Sequence, residues 1–285
     1  MSGSVVWRND RFEDAAIDPS DRGLLLADGV FDTALVIDGR AAFRERHLDR
    51  LADALAALSI AVPRETLVRA HDALAARCGT GSIRLTVTRG PGPRGLGFPP
   101  EPRPTLLGSA APLAPAAMFA PLRLALSDIR RNETSPTSRV KSLAYLDAVL
   151  ANHAARRAGA DEALFLNAAG RLASTALANL FVVRRGVLLT PPLADGVLPG
   201  TLRGWILDNA GRLGLAAEER PLLLEEAVGA PLLATNSLRL VSPARLDEAP
   251  HEASPVLRRL ADGVCAAIAA ECGMDPRALG AALAD

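Results

Sequence analysis

Short apolar runs that fold back on themselves at glycine-bearing turns recur along this chain and narrow its fold more than any other feature. ALVIDGRAAFRE (34–45) is two strand-like runs around Asp38-Gly39, a pair suited to the positive φ angles of a type I′ hairpin turn. EALFLNAAGRLAS (162–174) and NLFVVRRGVLLT (179–190) repeat the pattern, with turns at Ala168–Gly170 and Arg184–Gly186. Helical segments lie between such runs. HLDRLADALAAL (47–58) places Leu48, Leu51, Leu55 and Leu58 at helical spacing, and residues 64–77 read as a second helix. SIRLTVTR (82–89) alternates like a half-buried strand and runs into the loop GPGPRGLGFPP (90–100). The first third is therefore mixed α/β.

Further on, GSAAPLAPAAMFA (108–120) is rich in small residues and proline and is the best candidate linker. PLRLALSDI (121–129) is strand-like, and RRNETSPTSR delivers the chain to Val140-Lys141. SLAYLDAVLANHAARRAG (142–159) reads as a helix ended by Gly159, and LPGTLRGWILDNAGRLG (198–214) starts another after a Pro-Gly break. A short helix near 222–228, a strand pair around 231–242 and a terminal helix near 253–271 complete the expectation.

The chain has 285 residues, 49% of them hydrophobic, with a formal net charge of +0. That is enough apolar material for a large core. No run of about 18 apolar residues suggests a membrane span, and MSGSVVWRND lacks the basic-then-apolar pattern of a secretory signal. Cys78, Cys265 and Cys272 have no metal-ligand spacing, so no metal is expected and a reducing cytoplasm is. A neutral balance without basic clusters argues against nucleic acid as the main partner.

Of the 32 basic residues, a single one, Lys141, is lysine; the rest are arginine. An ammonium can lose its proton and become a nucleophile, whereas a guanidinium stays charged. A lysine kept where arginine stands everywhere else is either chance or chemistry, and its surroundings decide which.

Those surroundings carry a resemblance. VKSLAYLDAVLANHAARRAGADEALFLNAAGRLASTALANLFVV, followed by TPPLADGVLPGTLR, resembles the core of class IV (fold-type IV) pyridoxal-phosphate enzymes. These include branched-chain and D-amino-acid aminotransferases and aminodeoxychorismate lyase. DRGLLLADGVFDTALVIDG, HLDRL and TNSLRLVSP resemble the family's other segments, in order, from about residue 21 to 245. The resemblance implies a two-domain α/β fold: a small domain over 1–112, a linker at 113–118 and a larger cofactor-binding domain over 119–285. It also implies a homodimer.

By the same resemblance, Lys141 carries pyridoxal 5′-phosphate as a Schiff base and moves the proton between Cα and C4′. Thr201 and Leu202, at a helix start where free amides attract an anion, face the phosphate. Asn236 and Ser237 lie on the second phosphate segment, and Arg50 is the phosphate arginine. Tyr145, the sole tyrosine, matches the partner of the cofactor's O3′. Arg94 matches an arginine that captures the substrate carboxylate, and Phe31 an aromatic of the pocket; His47 reads as structural. One position departs. Ser174 stands where the family carries a glutamate for the pyridine nitrogen, and no carboxylate lies near it in sequence. A neutral hydroxyl favours the protonated ring less than a carboxylate does, so the ring is expected to be a weaker electron sink.

The implied activity is transamination between an amino acid and a 2-oxo acid. Release of pyruvate and 4-aminobenzoate from aminodeoxychorismate is the enzymatic alternative, and a cofactor-binding protein with little catalysis the second.

Overall fold

The structure, a computed structural model, describes residues 4–8, 10–246 and 254–283. These form two compact units. One takes the described chain up to Ala114 with Val140–Ala144 and Ala270–Met274; the other takes Pro115–Arg139, Tyr145–Ala269 and the residues from Asp275 on.

The first unit contains β1 (Ser4–Arg8), β2 (Arg11–Glu13), α1 (Arg22–Leu26), β3 (Gly29–Ile37), β4 (Arg40–Ala41), α2 (Arg44–Ala57), α3 (Arg64–Cys78), β5 (Gly81–Thr88) and β6 (Thr105–Ala111). Its strands make one antiparallel sheet in the order β2-β1-β6-β5-β3-β4. Asp38 and Gly39 take φ of 49° and 71°, the turn expected of that pair, but β4 is only two residues long before the chain enters α2. Strand alternation gives the sheet two different faces. Val30, Leu85 and Val87 lie under the leucines of α2 and α3 (Leu48, Leu51, Leu55, Leu67), forming a core. Phe31 pairs with Thr86 and Thr33 with Arg84, so these four side chains share the opposite face.

The expected linker is partly strand. Residues 108–111 belong to β6, which pairs with β1 on one side and β5 on the other. Small residues suit that place: a Cβ on Gly108 would lie 2.7 Å from the Phe12 ring. Only Pro115–Ala117 beyond it forms a 3₁₀ turn.

The second unit contains β7 (Leu122–Leu126), α4 (Leu146–Arg157), β8 (Glu162–Leu166), β9 (Leu172–Thr175), β10 (Asn179–Arg184), β11 (Val187–Thr190), α5 (Thr201–Asn209), β12 (Ala216–Glu219), α6 (Leu224–Ala227), β13 (Leu232–Asn236) and β14 (Leu240–Arg245). The sheet order is β12-β11-β10-β13-β14-β7-β8-β9, and β9 also meets β10 through Ser174 and Asn179. The sheet thus closes on itself around Leu124, Leu164, Leu172, Leu180, Val182 and Leu232. On its outer side α4 lays Ala148, Ala151 and Ala155 against Ala163 and Phe165, with Tyr145 packed on the same cluster. α7 (Pro255–Cys272) is the last α-helix among the described residues, followed by a 3₁₀ turn at Pro276–Leu279; residue 253, where a helix was expected to begin, lies outside the described residues. Among the described residues no helix is long and apolar enough to cross a membrane, and no His, Cys, Asp and Glu cluster could hold a metal.

One core histidine makes the first unit acid-sensitive. His71 of α3 is buried with both ring nitrogens unpartnered, its nearest carboxylate, Asp72, 3.7 Å away. Burial, and then neighbouring His47, push its pKa from 6.5 down to about 4. The folded ring stays neutral while the unfolded one takes up a proton, so protonation favours unfolding. Stability is complete above pH 6.5 and should fall by up to roughly 3 kcal/mol as the pH drops from 6.5 towards 4. Urea unfolding at pH 7 and pH 4.5 checks this, and His71→Leu should flatten the dependence.

Candidate active site

Lys141 is held by its own backbone. The Phe31 amide donates to the Lys141 carbonyl at 2.9 Å, and the Leu143 amide donates to the Gly29 carbonyl at 3.0 Å. Ser142 thereby bridges to Val30, extending the first unit's sheet at the edge of β3. This pairing corrects the expected helix over 142–159. Residues 141–143 are drawn out along β3, and α4 begins only at Leu146 with Tyr145 as its N-cap residue. Tyr145 is therefore not one helical turn beyond Lys141. The Lys141 ammonium lies 4.4 Å from the centre of the Phe31 ring, and the Arg84 guanidinium 3.6 Å from the same centre. Two cations thus share one aromatic ring.

Asp32, next along β3, points to the helix-covered face and is buried. Its Oδ2 accepts from Arg50 Nε at 2.8 Å and lies 2.7 Å from Arg50 Nη2, while its Oδ1 lies 2.5 Å from His47 Nδ1. Burial alone would raise its carboxyl, but Arg50 and His47 outweigh it and hold the group well below the usual carboxylate range. The Arg50 fork is therefore oriented, with N–H donors left over for an anion.

Arg94 is exposed on the loop after β5. Its neighbours are anchored: Arg22 Nη1 and Nη2 donate to the carbonyls of Gly95 and Leu96 at 3.1 and 3.4 Å. Asp28 ties this together, accepting from Arg22 Nε at 2.8 Å and from Arg89 Nε and Nη2 at 2.8 and 3.0 Å. Arg89 also stacks on Phe98.

In the second unit α5 starts without a side-chain cap on its N-cap residue, Gly200. Thr201 Oγ1 is buried there with no partner, and so is Thr235 Oγ1 on β13, against which α5 packs. A first turn of open amides beside an orphaned hydroxyl fits an anion such as a phosphate ester. Leu202, buried at the second helical position, contributes only its amide. Gly200 must lack a side chain, since a Cβ would fall 1.8 Å from Asn179 Oδ1. Asn179 Nδ2 in turn donates to the Leu198 carbonyl at 2.9 Å. The Asn236 side chain is committed to its own turn: Oδ1 accepts from the amides of Leu238 and Arg239 at 3.0 and 2.8 Å, and Nδ2 donates to the Leu177 carbonyl at 3.2 Å. Ser237 follows it, half-buried. Ser174 pairs with Phe165, on whose ring the Arg131 guanidinium sits at 4.2 Å. The nearest acid along these strands, Glu162, turns to Thr175 and Leu177 instead.

A family model for the amino-transferase class IV proteins matches residues 29–246. The chain belongs to the class IV aminotransferase family. Enzymes of this family use pyridoxal phosphate, and the fold is that of their fold-type IV members. A putative branched-chain-amino-acid aminotransferase of Methanocaldococcus jannaschii is 33% identical over 229 residues, 78% of this chain and 80% of the relative. An aminodeoxychorismate lyase of Bacillus subtilis is 29% identical over 223 residues, 74% and 75% of the two chains. The crystal structure of 4-amino-4-deoxychorismate lyase from Pseudomonas aeruginosa superposes with a TM-score of 0.83 at 30% identity, covering 91% of this chain and 98% of that one.

In this class IV chain the sequence reading passed over Asp32, Arg84, Arg131, Glu162 and Asn179. Asp32 and Glu162 did leave a signal, each an acid set into an apolar strand run (GVFDTALVI, EALFL). A buried acid calls for a partner, but only the fold names it. The Arg22–Asp28–Arg89 cluster is testable directly. Both guanidinium side chains are under 5% exposed, so Asp28→Asn leaves two buried cations without a counter-charge. It should cost about 3–5 kcal/mol in chemical unfolding, far more than an exposed pair would.

Proposed function

We propose that this class IV enzyme moves an amino group between an amino acid and a 2-oxo acid, with Lys141 as the covalent anchor of pyridoxal phosphate. The observation that carries the reading is the sole lysine of the chain, pinned by hydrogen bonds of its own carbonyl and of the Leu143 amide to β3. Bound pyridoxal phosphate supplies an aldehyde for the amine and a ring that delocalises charge from the substrate's Cα. The chain supplies the rest. The α5 amides of Thr201 and Leu202, the Thr201 hydroxyl, the turn at Asn236 and Ser237, and Arg50 oriented by Asp32 would hold the phosphate. Tyr145 would hold the O3′ oxygen, and the Lys141 amine would carry the proton between Cα and C4′. Ser174 would offer the ring nitrogen a neutral hydroxyl, and the Arg131 guanidinium, held on the ring of its strand neighbour Phe165, would add a charge that further disfavours a protonated ring.

Arg84, on the same face as Phe31 and near Lys141, is a second candidate receptor for a carboxylate besides Arg94. That suits a substrate with two carboxylates. It keeps aminodeoxychorismate, which also has two, as the second reading, favoured by the similarity to the Pseudomonas aeruginosa lyase.

We also propose a homodimer. α4 exposes Leu146, Val149 and Leu150 along one stripe, more apolar surface than a lone helix face usually shows water. Sedimentation should give a mass twice that of the chain; a monomer at micromolar concentration overturns this.

The activity is read spectroscopically. Purified protein with pyridoxal phosphate should show the visible band of lysine-bound cofactor, absent in Lys141→Ala, with turnover reduced at least about 10³-fold. An amino acid alone should convert the band to that of the aminated cofactor. Pyruvate released from aminodeoxychorismate without an amino acceptor, and no such conversion, would replace transamination by the lyase reading.

A further inference from the structure

Glu162, at the start of β8, is 1% exposed and has no part in the chemistry above. Its Oε1 accepts from Thr175 Oγ1 at 2.5 Å and from the Leu177 amide at 2.6 Å. Burial raises its carboxyl above the ordinary range, against the pull of these two bonds. An acid placed in so dry a position is costly unless its bonds secure something. What they secure is the turn Thr175–Ala178, which is further closed by the Ala178 amide donating to Thr175 Oγ1 at 2.9 Å and the Thr175 amide donating to the Ala178 carbonyl at 3.0 Å.

Two connections leave this turn, and they reach both segments that would face a phosphate. The Leu177 carbonyl accepts from Asn236 Nδ2, and Asn236 Oδ1 gathers the amides of Leu238 and Arg239. That fixes the turn carrying Ser237. Asn179, immediately after Ala178, donates to the Leu198 carbonyl and packs against Gly200. That fixes the entry to α5 and so the direction of its open amides. The two segments are far apart in sequence, and the 175–178 turn is bonded to one directly and reaches the other through the next residue, Asn179.

We infer that Glu162 is a positioning residue: through the 175–178 turn it sets the spacing of the α5 start and the Asn236–Arg239 turn, and thereby the hold on the cofactor's phosphate. The inference rests on the reading that a phosphate sits at α5. Glu162 touches no cofactor, so its effect should appear in the phosphate's share of binding and not in binding at large. Pyridoxal, which lacks the phosphate, separates the two.

The test titrates cofactor-stripped full-length protein with pyridoxal phosphate and with pyridoxal, reading the visible band. Glu162→Met removes the acceptor; Glu162→Gln keeps one carbonyl oxygen for both donors; Thr175→Val removes the hydroxyl that donates to Glu162 and accepts from the Ala178 amide, with little change of shape. Glu162→Met should weaken pyridoxal phosphate at least about tenfold and leave pyridoxal within about threefold of wild type, with Glu162→Gln restoring most of the loss. Thr175→Val should move the same ratio in the same direction, and it decides the matter if Glu162→Met does not fold. An unchanged preference for the phosphorylated form in these variants, or an equal loss of both ligands, overturns the role of Glu162. A wild-type protein with no such preference removes the phosphate seat itself, and the inference falls with it.

Discussion

Two backbone hydrogen bonds, one accepted by the Lys141 carbonyl and one donated by the Leu143 amide, fix the segment on which the chemistry of this protein turns. A lysine side chain has four rotatable bonds and much rotamer entropy to lose. Pinning its main chain to β3 removes the backbone share of that freedom before any ligand arrives. β3 then divides its labour by alternation. Phe31 faces the lysine, and Asp32, one residue on, faces the helices and steers Arg50. A shift of one residue in the pairing of β3 with β5 would exchange these tasks, so the register of one strand pair governs both.

The second unit prepares its anion seat by leaving things out. There is no cap on Gly200, no side chain at Gly200 to push Asn179 away, and no partner for the Thr201 and Thr235 hydroxyls. The missing cap and the unpartnered hydroxyls are unfavourable to the fold, since buried polar groups without partners and open helix amides raise its free energy. A phosphate would satisfy several of them together, so its binding and the order of this region should reinforce one another.

Much of this was legible in the sequence because it depends on local chemistry. The hairpins at Asp38-Gly39, Ala168–Gly170 and Arg184–Gly186 follow from turn residues between apolar runs, and Lys141 stood out because it alone is not arginine. What was not legible depends on partners distant in the chain. SLAYLDAV has every local reason to be helical, yet its first residues are recruited by β3, more than a hundred positions earlier. The small residues at 108–111 read as linker because a strand between two others needs little side chain. Arg94 drew attention through its loop, whereas Arg84 looks like an ordinary outward residue of an alternating strand until Phe31 and Lys141 are seen beside it. Ser174 was legible as a departure, but the proximity of Phe165 and Arg131 was not.

The pinned lysine has one more consequence, in the language of proteolysis. A lysine-specific protease finds a single target bond in all 285 residues, the one between Lys141 and Ser142. That bond lies inside the pairing with β3, with Ser142 buried, so it can be cut only when the segment lifts away from the sheet. Cleavage of the native protein into two fragments is therefore a clock for one local opening, free of background from any other site.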